Sequence, residues 1–379
     1  MTSGRIDLSL PESRYDRQER ISWWDQDRLS NARVLVVGAG ALGNEIVKNL
    51  ALVGIGYLCV VDMDVVENAN LSRCVFFSES DAGHSKAAAL TQGARELNPE
   101  LEADSRTVAV QELGIGFLLG FDLVIAGLDN REARRWINQG TRKLGLTWID
   151  GAIEGLQGLV RTFPPEGACY ECTLGEADLR ALEHRRSCAL LSAQEMLSGK
   201  VPTNATTASI VAGVQAQEAI KLLVGKPELS ALANKAWVLS GETMLTYTVD
   251  YIEDPYCPAH DTYEIVEPPC RRIETLAELL EGGPDPDAID LEDDLVTLAD
   301  CDCGNPGRTQ FRTSLPPGSG VCDVCDAPRR ITSRTSLAPG DELVKHRWRS
   351  FHAPEMDIVT LRSGDRREHI VVARQGDSS

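Results

Sequence analysis

The stretch VLVVGAGALGNEIVKNLALVGIGYLCVVDMD, from Val34 to Asp64, decides the fold. Two short apolar runs, VLVV and YLCVV, flank a segment with the look of a helix. Runs of this kind read as buried strands, so the stretch is strand, turn, helix, strand. Gly38, Gly40 and Gly43 fall at the strand-to-helix turn. The first permits a tight turn, the second lets backbone approach a phosphate, and the third lets helix and sheet pack closely. Asp62 ends the second strand, where a carboxylate accepts ribose hydroxyls. The competing reading is a glycine-rich turn used only for packing; strand, loop and helix in this order favour a nucleotide.

Outward from this stretch the alternation continues. SKAAALTQGARELN and REARRWINQGTRKLG read as helices, LEADSRTV as a weak strand, and FDLVIAG and LTWIDGA as buried strands. The pattern predicts an α/β fold with a doubly wound, mostly parallel, Rossmann-like sheet. GLQGLVRTF adds a strand, ASIVAGVQAQEAIKLLVG a helix stopped by Gly225 and Pro227, and AWVLSGETMLTYTVDY a hairpin. Residues 173–207, between that strand and that helix, are polar and irregular. Composition changes after about residue 262. We divide the chain into an N-terminal arm and helix (1–30), a nucleotide-binding domain (31–261) with a crossover loop (173–207), and a C-terminal cysteine-rich module (262–379). The Gly-, Pro- and acid-rich EGGPDPDAIDLEDD predicts a linker or loop, with the acidic run 285–294 solvated. The tail, with MDIVTLRSGDRREHIVVA, predicts a small β-rich domain; His346 and His352 have no evident partners and are expected on its surface.

The whole chain bounds the function. At 379 residues and 42% hydrophobic it can bury a substantial core in two or three domains. A net charge of -19 makes nucleic acid and anionic lipid poor partners and steers basic faces toward it. The N-terminus has no apolar core segment and the chain no long apolar run, so a soluble cytoplasmic protein is expected. Eleven cysteines, several in close pairs, read as metal ligands rather than as disulfides.

The glycine loop alone does not separate a nicotinamide dinucleotide from ATP; the next segment does. DMDVVENANLSR places Asp64, Asn70 and Arg73 just after the strand, with Lys86 at the next helix start. Arg and Lys neutralise phosphate charge, Asn donates hydrogen bonds, and a carboxylate holds Mg²⁺. Asp129, in VIAGLDN, follows a later strand at the edge that faces the ligand crevice and offers a second Mg²⁺ ligand. Each residue alone reads as a solvated surface group; the ordered set reads as a triphosphate site, against a nicotinamide-dependent oxidoreductase.

RYDRQ (14–18), GAGALGNE (38–45), DMDVVENANLSR (62–73), Lys86 and GLDN (127–130) together resemble the ubiquitin-activating enzyme superfamily, which includes adenylyltransferases of the ThiF/MoeB type. The likeness spans roughly residues 12 to 260. It implies Mg·ATP-dependent adenylation of the C-terminal glycine of a ubiquitin-like or sulfur-carrier protein, with release of pyrophosphate. It implies Asp62 on the ribose, Asp64 and Asp129 on magnesium, and Asn70, Arg73 and Lys86 on the phosphates. Arg17 would reach the ATP of the partner subunit in a homodimer. One departure is Cys74, where the family usually carries glutamine after NLxR. An adenylyltransferase for a sulfur carrier or a small carboxylate, without any thioester, is the alternative; a non-catalytic dimer partner is a further one.

Cys169, Cys172, Cys257 and His260 form two pairs with C-x2-C and C-x2-H spacing, suited to a tetrahedral zinc that joins the arms flanking the crossover loop. Four cysteines are usual in the family, so His260 is a departure. Cys301, Cys303, Cys322 and Cys325 form a second zinc set of structural use, since the tail is short of apolar residues. Of the remaining cysteines, Cys59 lies in a strand and Cys270 in an apparent loop. Cys188 lies in the crossover loop, beside His184, Arg185 and Arg186, which would favour its thiolate. The family's catalytic cysteine lies in this loop, so the resemblance implies that Cys188 takes the acyl group as a thioester. The C-terminal module would recruit a conjugating enzyme, bind the carrier or stabilise a dimer.

Overall fold

The structure, a computed structural model, describes residues 13–175, 177–178, 202–229, 232–264, 270–281 and 286–375. The first sheet holds strands β1 (Arg33–Val37), β2 (Tyr57–Val61), β3 (Glu102–Arg106), β4 (Leu123–Ala126), β5 (Trp148–Glu154), β6 (Gln157–Phe163), β7 (Lys235–Ser240) and β8 (Leu245–Asp250). Their order is β3-β2-β1-β4-β5-β6-β7-β8. The first five are parallel and the last three join antiparallel. Chain order reverses between β1 and β4, and at such a switch point the strand ends part to leave a crevice.

Both faces of this sheet are covered, which is why VLVV reads as one apolar run. Val34 and Val36 pack toward α2 (Ala41–Val53), α3 (Lys86–Leu97) and α5 (Ala205–Leu223), while Leu35 and Val37 pack toward α4 (Arg131–Lys143) and the short turns before β4. The helices start where capping chemistry allows: Ser85 caps α3, Asn130 caps α4 and Asn204 caps α5, each with a side-chain oxygen on backbone N–H groups. A short α1 (Gln26–Asn31) precedes β1. No helix among the described residues is long and apolar enough to cross a membrane.

The second sheet comprises β9 (Arg271–Ile273), β10 (Ala288–Leu298), β11 (Arg308–Phe311), β12 (Ile331–Leu337), β13 (Met356–Ser363) and β14 (Arg366–Arg374), in the order β11-β10-β13-β14-β9 with β12 also on β10. Here the structure corrects three expectations. The acidic run is not a solvated loop: from Ala288 onward it is β10, a central strand. Its alternation explains this, because Ile289 and Leu291 point into the core while Asp290 meets Arg362 at 2.9 Å. Asp293 and Asp294 sit where the register shifts, accepting from Thr313 N–H at 2.9 Å and from Arg312 Nε at 2.6 Å. Acidic residues that face arginines look solvated in a sequence. Nor is the module short of a core, since Ile289, Phe311, Trp348, Val359 and Val372 cluster within it. His352, exposed as expected, does have a partner: its Nδ1 lies 2.6 Å from Gln310 Nε2.

The two sheets are fastened together. Glu355 donates its N–H to Glu112 O at 3.3 Å, Ile115 N–H donates to Asp357 Oδ1 at 3.3 Å, and Lys143 meets Glu292 at 2.6 Å. Tyr263 gives its N–H to Lys143 O at 2.8 Å and stacks on His369 with ring centres 4.0 Å apart. Burial pushes the Asp357 carboxyl well above the usual carboxylate range, and the charge of Glu292 adds to this. The folded chain therefore keeps a proton that the unfolded chain releases near pH 4, and stability falls as pH rises above that value. Asp357→Asn retains an acceptor for Ile115 and removes the titration. Its melting temperature should gain on the wild type progressively as pH rises above about 4; a difference independent of pH would refute this.

Candidate active site

The glycine loop links β1 to α2. Gly38 has φ +98°, a left-handed conformation that favours glycine, and a Cβ there would stand 2.6 Å from Gly127 O. A Cβ on Gly43 would stand 1.9 Å from Gly38 O, so the third glycine packs the helix against the loop itself rather than against the sheet. Gly40 caps α2 and a Cβ there would meet nothing within 4 Å, which leaves its backbone open to a ligand. Asp62 is half-buried. One carboxylate oxygen accepts Ala39 N–H at 2.7 Å and the other Asp64 N–H at 2.8 Å, so it ties the loop to the exit of β2. Burial raises its pKa, while these two N–H donors act the other way.

Gly38, Asp62, Asp64 and Asp129 line one cavity of about 680 Å³ at the switch point. Lys86 is joined to it through Asp64, 2.8 Å away, and Asp64 is the more exposed of the two. Asn70 is buried and accepts Glu67 N–H at 2.8 Å, and Arg73 donates to Ala69 O; both belong to the turn beside the cavity rather than to its wall. Cys74, at the family's glutamine position, is core: burial lifts its thiol to about 11. Cys59 is likewise buried, its thiol raised to about 12. Cys188, with His184, Arg185 and Arg186, lies outside the described residues.

Arg17 is not brought to the cavity of its own chain. The arm that carries it packs at the far end of α2: Tyr15 Oη meets Glu100 at 3.2 Å, and Gln18 Nε2 donates to Val53 O at 3.1 Å. That end is about 20 Å from the glycine loop.

Sequence reasoning missed a buried ion triad behind the Asp129 turn. Asp150 is fully buried and takes Arg134 Nε at 2.8 Å and Arg161 Nε at 3.0 Å. Arg134 also donates to Leu128 O and to Gly151 O, so it fixes the carbonyl just before Asp129. Gln215, on α5, donates to Ala126 O at 2.9 Å from beneath. In the sequence these residues lie on four separate elements, and no local spacing joins them.

Both predicted metal sets assemble. In the first, Cys169 Sγ lies 3.7 Å from Cys172 Sγ and 3.7 Å from Cys257 Sγ, and Cys172 Sγ lies 3.3 Å from His260 Nε2. In the second, Cys301 and Cys325 are 3.5 Å apart and Cys303 and Cys322 3.7 Å apart. A tetrahedral zinc with bonds of about 2.3 Å to sulfur requires edges of about 3.8 Å, so both donor sets fit it. Glu253 stands 3.3 Å from His260 Nδ1, the second partner that a metal-bound imidazole ordinarily has. Burial lowers the His260 pKa and so keeps the ring neutral, as ligation requires.

A glycine loop at a topological switch, carboxylates on two strand exits and a lysine paired to one of them are the features of a nucleotide-binding, Rossmann-like sheet. Residues 15–259 match the ThiF family, and the chain belongs to that family. The SAMP-activating enzyme E1 of Haloferax volcanii is 34% identical over 264 residues, covering 66% of this chain and 90% of that protein. The NEDD8-activating enzyme E1 catalytic subunit of Caenorhabditis elegans is 36% identical over 162 residues, but this chain spans only 38% of its length. Among solved structures, E. coli MccB with ATP shares the fold with a TM-score of 0.56 at 23% identity, covering 68% of this chain and 76% of that one.

The glycines separate packing from binding. Gly43→Ala forces a clash with loop backbone and should cost about 1–3 kcal/mol in denaturant unfolding. Gly40→Ala meets open space and should cost under about 1 kcal/mol while weakening ATP binding in calorimetric titration. Equal stability losses for the two would contradict this geometry.

Proposed function

We propose that this chain activates the C-terminal glycine of a ubiquitin-like protein with ATP, and then carries the acyl group as a thioester on Cys188. The observation that carries the reading is the single cavity lined by Gly38, Asp62, Asp64 and Asp129 in a chain of the ThiF family. The names of the relatives, SAMP- and NEDD8-activating enzymes, support a protein carrier as substrate.

In this reading Asp62 holds the ribose and the glycine-loop backbone meets the phosphates. Magnesium, held by Asp64 and Asp129, would neutralise phosphate charge. Lys86 then exchanges its carboxylate partner for phosphate oxygen, and Asn70 and Arg73 flank the leaving pyrophosphate. A carrier carboxylate oxygen attacks the α-phosphorus, the bond to pyrophosphate breaks, and an acyl-adenylate forms. The Cys188 thiolate attacks the acyl carbon and AMP leaves with the bonding pair. Arg17 would complete the site of a second subunit in a homodimer, which accords with its distance from the site of its own chain. Zinc at the two cysteine sets would be structural: the first joins the segment after β6 to the segment after β8. A conjugating enzyme is a natural acceptor for the thioester. The acidic chain and the site chemistry favour a cytoplasmic protein working on proteins rather than on nucleic acid or membrane.

ATP–pyrophosphate exchange with carriers ending in glycine tests this. Exchange should appear with the right carrier and fall about 10²-fold or more in Asp129→Ala; unchanged exchange in that variant would remove the proposed site. Cys188→Ala should retain exchange and lose a thiol-labile carrier adduct seen by mass spectrometry. An adduct-free wild type with full exchange would instead identify an adenylyltransferase that stops at the adenylate. Native mass spectrometry should find two zinc ions per chain, and His260→Ala should lose one of them selectively; a metal-free wild type would remove both zinc assignments.

A further inference from the structure

The strand exits of the first sheet supply only part of the cavity wall. The opposite side belongs to the C-terminal module: Asp293 of β10, and the segment from Arg312 to Pro317 that follows β11, face the same space. The cavity runs along one face of α4 past Glu132, Trp136, Gln139 and Lys143, which recur every three or four residues. That face is about 16 Å long, so the cavity extends well past the turn that carries Asp129.

A triphosphate on the glycine loop, with its ribose at Asp62, directs its base away from the loop. The cavity's apolar surfaces beyond the loop are Val108 and Val110, which follow β3, while Leu128, which follows β4, stands beside Gly38 itself. Thr313, Leu315 and Pro316 of the module line the same cavity beside them. An apolar lining suits a flat base.

This second wall is held in place. Thr313 N–H is fixed on Asp293 at 2.9 Å, Ser314 Oγ donates to Phe311 O at 2.8 Å, and Leu315 packs in a buried cluster with Val296 and Leu298. The segment also lies between the two halves of the second cysteine set, Cys301 with Cys303 and Cys322 with Cys325, so the cluster closes the loop that carries it.

We propose that the C-terminal module is part of the nucleotide site: Thr313 to Pro317 forms the outer wall of its base end and sets affinity for ATP. The proposal rests on the reading of this cavity as an ATP site, and deepens it. The test is calorimetric titration of the full-length protein with ATP, without carrier. Thr313→Trp fills the base end and should weaken ATP binding about tenfold or more. Pro316→Trp, at an exposed position that tolerates bulk, should act in the same direction and guards against misfolding of the first variant. Asp365→Trp, at the exposed β13–β14 turn, is the control and should bind as the wild type does. A wild type that binds no ATP overturns the nucleotide reading itself. A wild type that binds ATP, with both tryptophan variants within about twofold of it, overturns the wall alone. So does a change confined to the KM for the carrier in pyrophosphate exchange.

Discussion

The Asp62 carboxylate is the bond on which the rest of the site depends. It sits at the end of β2, half-buried, with one oxygen on the glycine loop at Ala39 and the other on the segment leaving β2 at Asp64. Two strand exits are thereby held in one register. Burial alone would favour the neutral acid; two backbone N–H donors favour the carboxylate. A carboxylate has lone pairs beyond the two used here, so the group that shapes the loop can still meet a ribose. Shape and recognition at this edge come from the same atoms.

A second device supports the β4 side. Arg134, Asp150 and Arg161 bury three charges beneath the turn that carries Asp129. Such a triad contributes little net stability, because desolvation cancels much of the attraction. What it supplies is position: the Arg134 guanidinium grips both Leu128 O and Gly151 O, and so holds the β4 exit against β5. The Lys86–Asp64 pair is different in kind. It is partly exposed at Asp64, so its separation costs little.

Much of this was legible in the sequence because it is local. Strand–turn–helix periodicity, the glycines and the two cysteine spacings each concern residues a few positions apart, and the structure builds each of them. What was illegible is non-local or depends on what a charge faces. Asp290, Asp293 and Asp294 gave β10 the look of a loop, since nothing nearby in sequence announces Arg362, Arg312 or Thr313 N–H as their partners. Asp150 could not be paired with Arg134 and Arg161 before the sheet existed. Cys74 looked like a departure at a functional position; it packs beneath the turn as a small hydrophobe, and only burial reveals that.

The two cysteine sets occupy equivalent places in their respective folds. Each pairs residues on the two limbs of a long excursion: Cys169 and Cys172 follow β6 while Cys257 and His260 follow β8; Cys301 and Cys303 follow β10 while Cys322 and Cys325 precede β12. Closing an excursion at its base limits where its far end can go, at an entropic cost that grows only slowly with length. In the first case the excursion contains the crossover segment; in the second it contains the stretch that faces the cavity beside Asp62. The C-terminal module is therefore more than an appendage fastened by Lys143, Asp357 and Tyr263. Its cysteine cluster closes a loop whose far end is wall to the same space as Asp62, and order at that cluster is order at the cavity.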